Sequence, residues 1–183
     1  MRADAAANRQ RVLDAAERVF AEQGPSAPTE EVARRAGVGI GTVFRHFPVK
    51  RDLIESVLLA RFEEFTELAR TAESRPDVTT AFFELTEQLI DHVAAKRAMV
   101  SYLSGGEGWS GVAEQASQEL NAVIERVLRR AQRAGDVRDD IGVDELRLLI
   151  LGLAQPVIGP DQNAARKRAG RVVLDGLRVM RPE

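Results

Sequence analysis

The side chains best suited to chemistry in this 183-residue chain cluster between residues 39 and 50, and they suit hydrogen bonding to nucleic acid better than bond making. Arg45 can offer paired N–H donors to guanine O6 and N7, and Thr42 or Ile40 can pack on a thymine methyl. His46 and Lys50 suit phosphate oxygens, which position a protein on a duplex without specifying sequence. Catalytic parts are scarce elsewhere. With no cysteine there is no disulfide, thiolate metal site or Cys nucleophile. Two histidines, His46 and His92, are too few for a His-rich metal centre. No nucleophile–base pair is evident, so no catalytic residue, metal or cofactor is expected.

The elements around this cluster form a recognisable layout. Val12, Ala15, Ala16, Val19 and Phe20 recur with the i, i+3, i+4, i+7 rhythm of an amphipathic helix over residues 9–23. Asn8 is placed to cap its start and Gly24-Pro25 to stop it. Residues 29–36 follow, with Glu30 and Glu31 in the first turn and Arg34 and Arg35 in the last, the order a helix dipole favours. Gly37 suits the left-handed position that ends a helix. Residues 40–47 begin after a two-residue turn, and Pro48 prevents their continuation. Two short helices joined by a Gly-containing turn make a helix-turn-helix. In it, Val43 and Phe47 lie four apart and should pack on Val32, Ala33 and Ala36, leaving Ile40, Thr42, Arg45 and His46 outward.

Beyond this unit the periodicity predicts helices over about 50–72, 78–95, 98–103, 112–134, 143–157 and 162–179, with breaks at Arg75-Pro76, 104–111, Gly135 and Gly159-Pro160. No segment alternates with period two between turn residues, so no strand is predicted. The expected fold class is all-α: an N-terminal three-helix bundle with the helix-turn-helix over residues 1–50, then a larger helical domain over 51–183.

The same stretch resembles the TetR-type family of bacterial repressors. The residues that carry the resemblance are Val12, Leu13, Ala15, Ala16, Val19 and Phe20; Thr29, Val32, Ala33, Ala36, Gly37 and Val38; Gly41 through the run Thr42, Val43, Phe44, Arg45, His46 and Phe47; and Lys50 with Leu53. The resemblance implies a homodimer paired through its last two helices, a C-terminal ligand-binding and dimerisation domain enclosing an inducer pocket, and a palindromic double-stranded operator. Carried over by position, Thr29, Gly39, Ile40, Thr42, Phe44, Arg45, His46 and Lys50 would contact DNA. Phe44 stands where the family often has Tyr, so a hydroxyl-to-phosphate bond is missing. Gly39 and Ile40 replace what are often Ser and a basic residue, though Gly39 still offers a backbone N–H at a helix N-terminus.

For the pocket, Phe83, His92, Met99, Tyr102, Leu103 and Trp109 are the candidates, His92, Tyr102 and Trp109 because each adds a polar group to an apolar wall. Residues 106–111 formally match G-x-G-x-x-G. They follow a helical segment, whereas a dinucleotide loop must follow a strand, so a mobile loop beside the ligand cavity is expected instead. The stripes Val143, Leu146, Leu149, Ile150, Leu153 and Val172, Val173, Leu177, with small residues such as Gly170 and Gly176, are read as the dimer interface.

Net charge is -2. Residues 1–55 carry nine basic and eight acidic groups, so overall charge supports DNA binding only weakly and the reading depends on local pattern. The most apolar stretch, 146–158, is interrupted by Arg147, Gln155 and Pro156 and is shorter than the ~20 residues of a membrane span. Together these features predict a cytoplasmic, ligand-responsive DNA-binding regulator, a repressor released by a small molecule. The alternative is a helical small-molecule-binding protein or enzyme whose N-terminal hairpin is structural.

Overall fold

The computed structural model describes residues 2–104, 110–154 and 162–179. Among them the chain forms α1 (Arg2–Gln23), α2 (Thr29–Ala36), α3 (Ile40–His46), α4 (Lys50–Ser74), α5 (Val78–Ser104), α6 (Gly111–Arg133), α7 (Val143–Leu153) and α8 (Gln162–Gly176). The fold is all-α, as expected. One isolated antiparallel bridge joins Val137 and Arg178.

Two elements differ from the periodic reading. Helix α1 starts at Arg2 and not near residue 9, because Ala5, Ala6 and Ala7 are strong helix formers. Asn8 is therefore inside the helix, where its side chain accepts a hydrogen bond from Arg11. Helix α5 runs unbroken through residues 95–98, since Ala94, Ala95, Lys96 and Arg97 contain no breaker. At the other end of the chain, residues 155–157 of the predicted seventh helix lie outside the described residues, as do Trp109 and most of the predicted loop 104–111.

The chain divides into two compact units: Met1–Arg61 with Ala98–Glu114, and Phe62–Arg97 with Gln115–Glu183. The division falls inside α4 and not at its start. Leu53, Ile54, Val57 and Leu58 are buried with α1, α2 and α3, so the first half of α4 completes the N-terminal core. That core gathers Val12, Ala16, Val19 and Phe20 from α1, Val32, Ala33 and Ala36 from α2, then Val43, Phe47 and Met99. Burial on this scale, at ~25 cal/mol per Å² of apolar surface, is what lets short helices α2 and α3 persist. Gly37 makes the sharp exit from α2 with φ +66° and ψ +34°. Its N–H donates to the Arg34 carbonyl at 3.3 Å and the Val38 N–H to the Ala33 carbonyl at 3.1 Å, which satisfies the orphan acceptors of the helix end.

The second unit buries Phe65 and Ala69 of α4, Phe82, Leu85 and Leu89 of α5, Val123, Val127 and Leu128 of α6, and Leu146 and Ile150 of α7. Buried Thr86 donates its hydroxyl to the Phe82 carbonyl at 2.8 Å, so no polar group is stranded there. Helix α8 stops at Gly176 because the next residues turn back. The Arg138 N–H donates to the Leu177 carbonyl at 2.9 Å and the Val179 N–H to the Asp136 carbonyl at 3.1 Å. Leu177 is buried by this turn, and the Arg178 guanidinium lies 3.9 Å from the centroid of the Phe83 ring.

Candidate nucleic-acid interface

Helix α3 presents two different sides. Val43 is fully buried and Phe47 is 2% exposed, both in the cluster that holds Val32, Ala33 and Ala36. Ile40 and Phe44 are 37% and 43% exposed, Gly39 and Arg45 are exposed, and Thr42 and His46 are half-buried. The helix opens at Gly39, whose carbonyl accepts the Thr42 N–H at 2.8 Å. The Val43 N–H reaches the same carbonyl at 3.4 Å, so Gly39 caps the first turn. Phe47 closes it, donating its N–H to the Val43 carbonyl at 2.8 Å.

The neighbouring cations are not equally available. Arg34 forms a bidentate pair with Glu31 at 2.8 and 2.7 Å. Arg35 bonds Glu31 at 2.9 Å and Glu22 at 2.7 Å. Hydrogen bonds from Arg34 and then Arg35 pull the Glu31 carboxyl down to about 2. The positive charge of α2 is thus matched within its own surface network. Arg45, by contrast, has no ion pair with a described residue. Lys50 is half-buried at the start of α4, with its Nζ 5.8 Å from the Phe20 ring centroid. That burial lowers its pKa from the ordinary lysine value, with Glu30 acting in the opposite sense. Thr29, the first residue of α2, is 8% exposed.

The candidate pocket residues are divided between the two compact units. Phe83 and His92 belong to the second unit, where His92 is half-buried and tilted against Phe65 at 4.2 Å between ring centroids. Met99 and Tyr102 belong to the first, Met99 buried in its core and Tyr102 exposed. The Leu103 side chain and Trp109 lie outside the described residues. Phe83 lines a surface groove of about 360 Å³ between α5 and α8, flanked by Glu84 and Glu87 on one wall and Arg171 and Arg178 on the other. The exposed apolar residues of the last helices are Leu148, Leu149 and Leu151 of α7 and Val172 of α8. Leu146, Ile150 and Leu177, which share the same stripes in the sequence, belong to the core of the unit itself.

Two family models match the chain. Residues 12–57 match bacterial regulatory proteins of the tetR family, and residues 77–179 match the C-terminal domain of SbtR-like transcriptional regulators. The chain belongs to the TetR family. It is 30% identical over 145 residues to the HTH-type transcriptional repressor Rv1474c of Mycobacterium tuberculosis, which covers 78% of this chain and 75% of that protein. It is 45% identical over 60 residues to the regulator TtgW of Pseudomonas putida, a stretch that is 32% of this chain and 45% of that protein. A TetR transcription regulatory protein of Mycobacterium vanbaalenii, known as a crystal structure, superposes with a TM-score of 0.74 at 37% identity over 97% of this chain and 99% of its own. The family likeness therefore extends well past the helix-turn-helix, into helices where the sequence carries no short motif. TetR-family proteins are transcriptional regulators and not enzymes, which removes the enzymatic alternative. They bind DNA operators and small-molecule ligands. Among the described residues no helix is long and apolar enough to cross a membrane.

What the periodic reading missed is the sharing-out of charge on the helix-turn-helix. Glu31 stands three and four residues before Arg34 and Arg35, the spacing of helical ion pairs, so this part was available in the sequence. The contact between Arg9 of α1 and Phe47, whose ring centroid lies 5.1 Å from the guanidinium carbon, joins residues far apart in the chain and carried no local signal.

Proposed function

We propose that this TetR-family protein is a homodimeric repressor that reads a palindromic operator with α3 of each subunit in successive major grooves and leaves it when a small molecule binds. The observation that carries the reading is the division of α3 between buried Val43 and Phe47 and outward Ile40, Phe44 and Arg45. A reading helix needs this division, because one side must be held by the domain while the other meets base edges. Arg45 pairs with guanine, and Thr42 and Ile40 pack on thymine methyls. His46, Lys50, Thr29, Phe44 and the Gly39 N–H meet the phosphodiester backbone on either side.

Pairing of two subunits through α7 and α8 is supported by Leu148, 66% exposed, and Val172, 73% exposed, which lie with Leu149 and Leu151 on helices otherwise anchored in their own core. Two-fold pairing matches a two-fold operator. Helix α4 enters both compact units, so it is the element through which ligand occupancy shifts the spacing of the reading helices, by differential affinity for the two states. Phe83, His92, Met99, Tyr102, Leu103 and Trp109 are the ligand-contact candidates, and Phe83 has a groove of small-molecule size beside it.

The test is a gel shift at low salt with DNA flanking the chain's own gene. Specific retardation, reversed by a compound that raises the thermal midpoint in a metabolite panel, is the expected result. Absence of any sequence-specific retardation overturns the repressor reading. Sedimentation equilibrium of Leu148→Asp and Val172→Asp tests the interface: both variants should shift toward monomer, and an unchanged dimer would place the interface elsewhere.

A further inference from the structure

We propose that Arg9 of α1 is a DNA-phosphate contact, held beside the reading helix by the face of Phe47. The proposal rests on the operator-reading role assigned to α3 and adds to it a residue outside the helix-turn-helix. Arg9 is exposed, and its guanidinium carbon lies 5.1 Å from the centroid of the Phe47 ring. Phe47 is the cap that follows Arg45 and His46, so this guanidinium sits at the end of α3 that carries those two residues.

The other described basic groups of α1 are occupied: Arg11 bonds the Asn8 side chain and Arg18 the Asp14 carbonyl. Arg9 bonds no described residue. A guanidinium held over a ring face uses none of its N–H donors in that contact, so its planar fork stays available to an anion. The anion for which this fork is suited is a phosphate oxygen pair. The need for such a cation is local. Arg34 and Arg35 are matched by Glu31 and Glu22, and Phe44 has no hydroxyl to offer a phosphate. Arg45 is committed to the bases. Arg9 restores a phosphate contact at this corner.

The experiment measures binding of the full-length protein and its Arg9→Gln and Arg9→Lys variants to the DNA flanking its own gene and to a scrambled duplex, over a range of salt. Each phosphate neutralised contributes ~0.9 to the log–log salt slope on B-DNA. Arg9→Gln removes one such contact from each subunit of the dimer and should therefore flatten the slope by about 1.8 on both duplexes. The affinity ratio of wild type to Arg9→Gln should then shrink about sixtyfold for each tenfold rise in salt. Arg9→Lys should restore the slope, because charge and not planarity sets counterion release, and base preference should be unchanged throughout. An Arg9→Gln variant that keeps the wild-type slope overturns the assignment, whether its affinity is unchanged or falls equally at every salt, the latter marking a packing role against Phe47. A wild type without sequence preference overturns the operator reading instead. The scrambled-duplex slope still decides the Arg9 contact in that case.

Discussion

The carboxylate of Glu55 in α4 accepts a hydrogen bond from the backbone N–H of Ser110 at 2.9 Å, while the Ser110 hydroxyl accepts the Ala113 N–H at 3.3 Å. Two orphan donors at the start of α6 are thus satisfied, one by its own cap and one by another helix. The carboxylate also meets the positive end of the α6 dipole. Glu55→Ala should cost about 1 kcal/mol, in the range of losing a helix cap, and should speed amide exchange at residues 110–114. Glu55→Gln keeps an acceptor and should retain most of the protection. Equal exchange in wild type and Glu55→Ala would show that the bond does not hold α6.

Arg45 and Lys50 divide recognition between bases and backbone. Arg45→Ala should remove discrimination at one base position at a cost of ~1–3 kcal/mol, while Lys50→Ala weakens all sequences alike. Binding to a set of singly substituted operators separates the two outcomes. An equal loss of discrimination from both variants contradicts this division of labour.

Gly37 carries a backbone conformation and no contact. A Cβ there would meet nothing within 4 Å, yet φ is +66°. Gly37→Ala should therefore cost about 1–2 kcal/mol through the left-handed penalty alone, with a lower thermal midpoint and unchanged base preference. Gly41→Ala, also in open space but at an ordinary helical position, should be neutral or stabilising in folding. Equal destabilisation by both would mean that space, and not φ, limits these positions.

The Glu31 network makes α2 sensitive to acid. Its carboxyl is held at about 2 against an ordinary value of 4.5 by Arg34 and Arg35. A carboxyl with a lowered folded-state pKa contributes stability that is fully present above the ordinary value and is lost as pH falls toward the folded one. Wild type should thus be more stable than Glu31→Gln at neutral pH, and the two should converge as pH falls from 4.5 toward about 2. Denaturant midpoints followed by circular dichroism across that window check the sign. Parallel curves would show that the pairs add nothing, as many exposed ion pairs do.

Much of the reading unit is legible in the chain because its determinants are local. The run from Thr29 to Ala36, the turn at Gly37 and the stop at Pro48 are set by dipole-matched charges, a left-handed glycine and a missing N–H, all acting within a few residues. Periodicity also placed Val43 and Phe47 inside and Arg45 outside. It was less informative at helix ends without a breaker, as in α1 and at residues 95–98 of α5, where a fading pattern was read as a boundary.

Tertiary structure decided the rest, because an apolar stripe identifies a side to be covered but not what covers it. Leu53 and Phe65 belong to one stripe of α4, yet they enter different cores. Leu146 and Ile150 are consumed by their own unit, while Leu148 on the same helix stays outside. The same holds for charge. Sequence alone marked Arg45 as the base contact, counted Arg34 and Arg35 as dipole-matched charges and gave Arg9 no role. Only folding showed that Glu22 of α1 joins Glu31 on Arg35 and that Phe47 holds Arg9, since pairing energy depends on distances that chain spacing does not set.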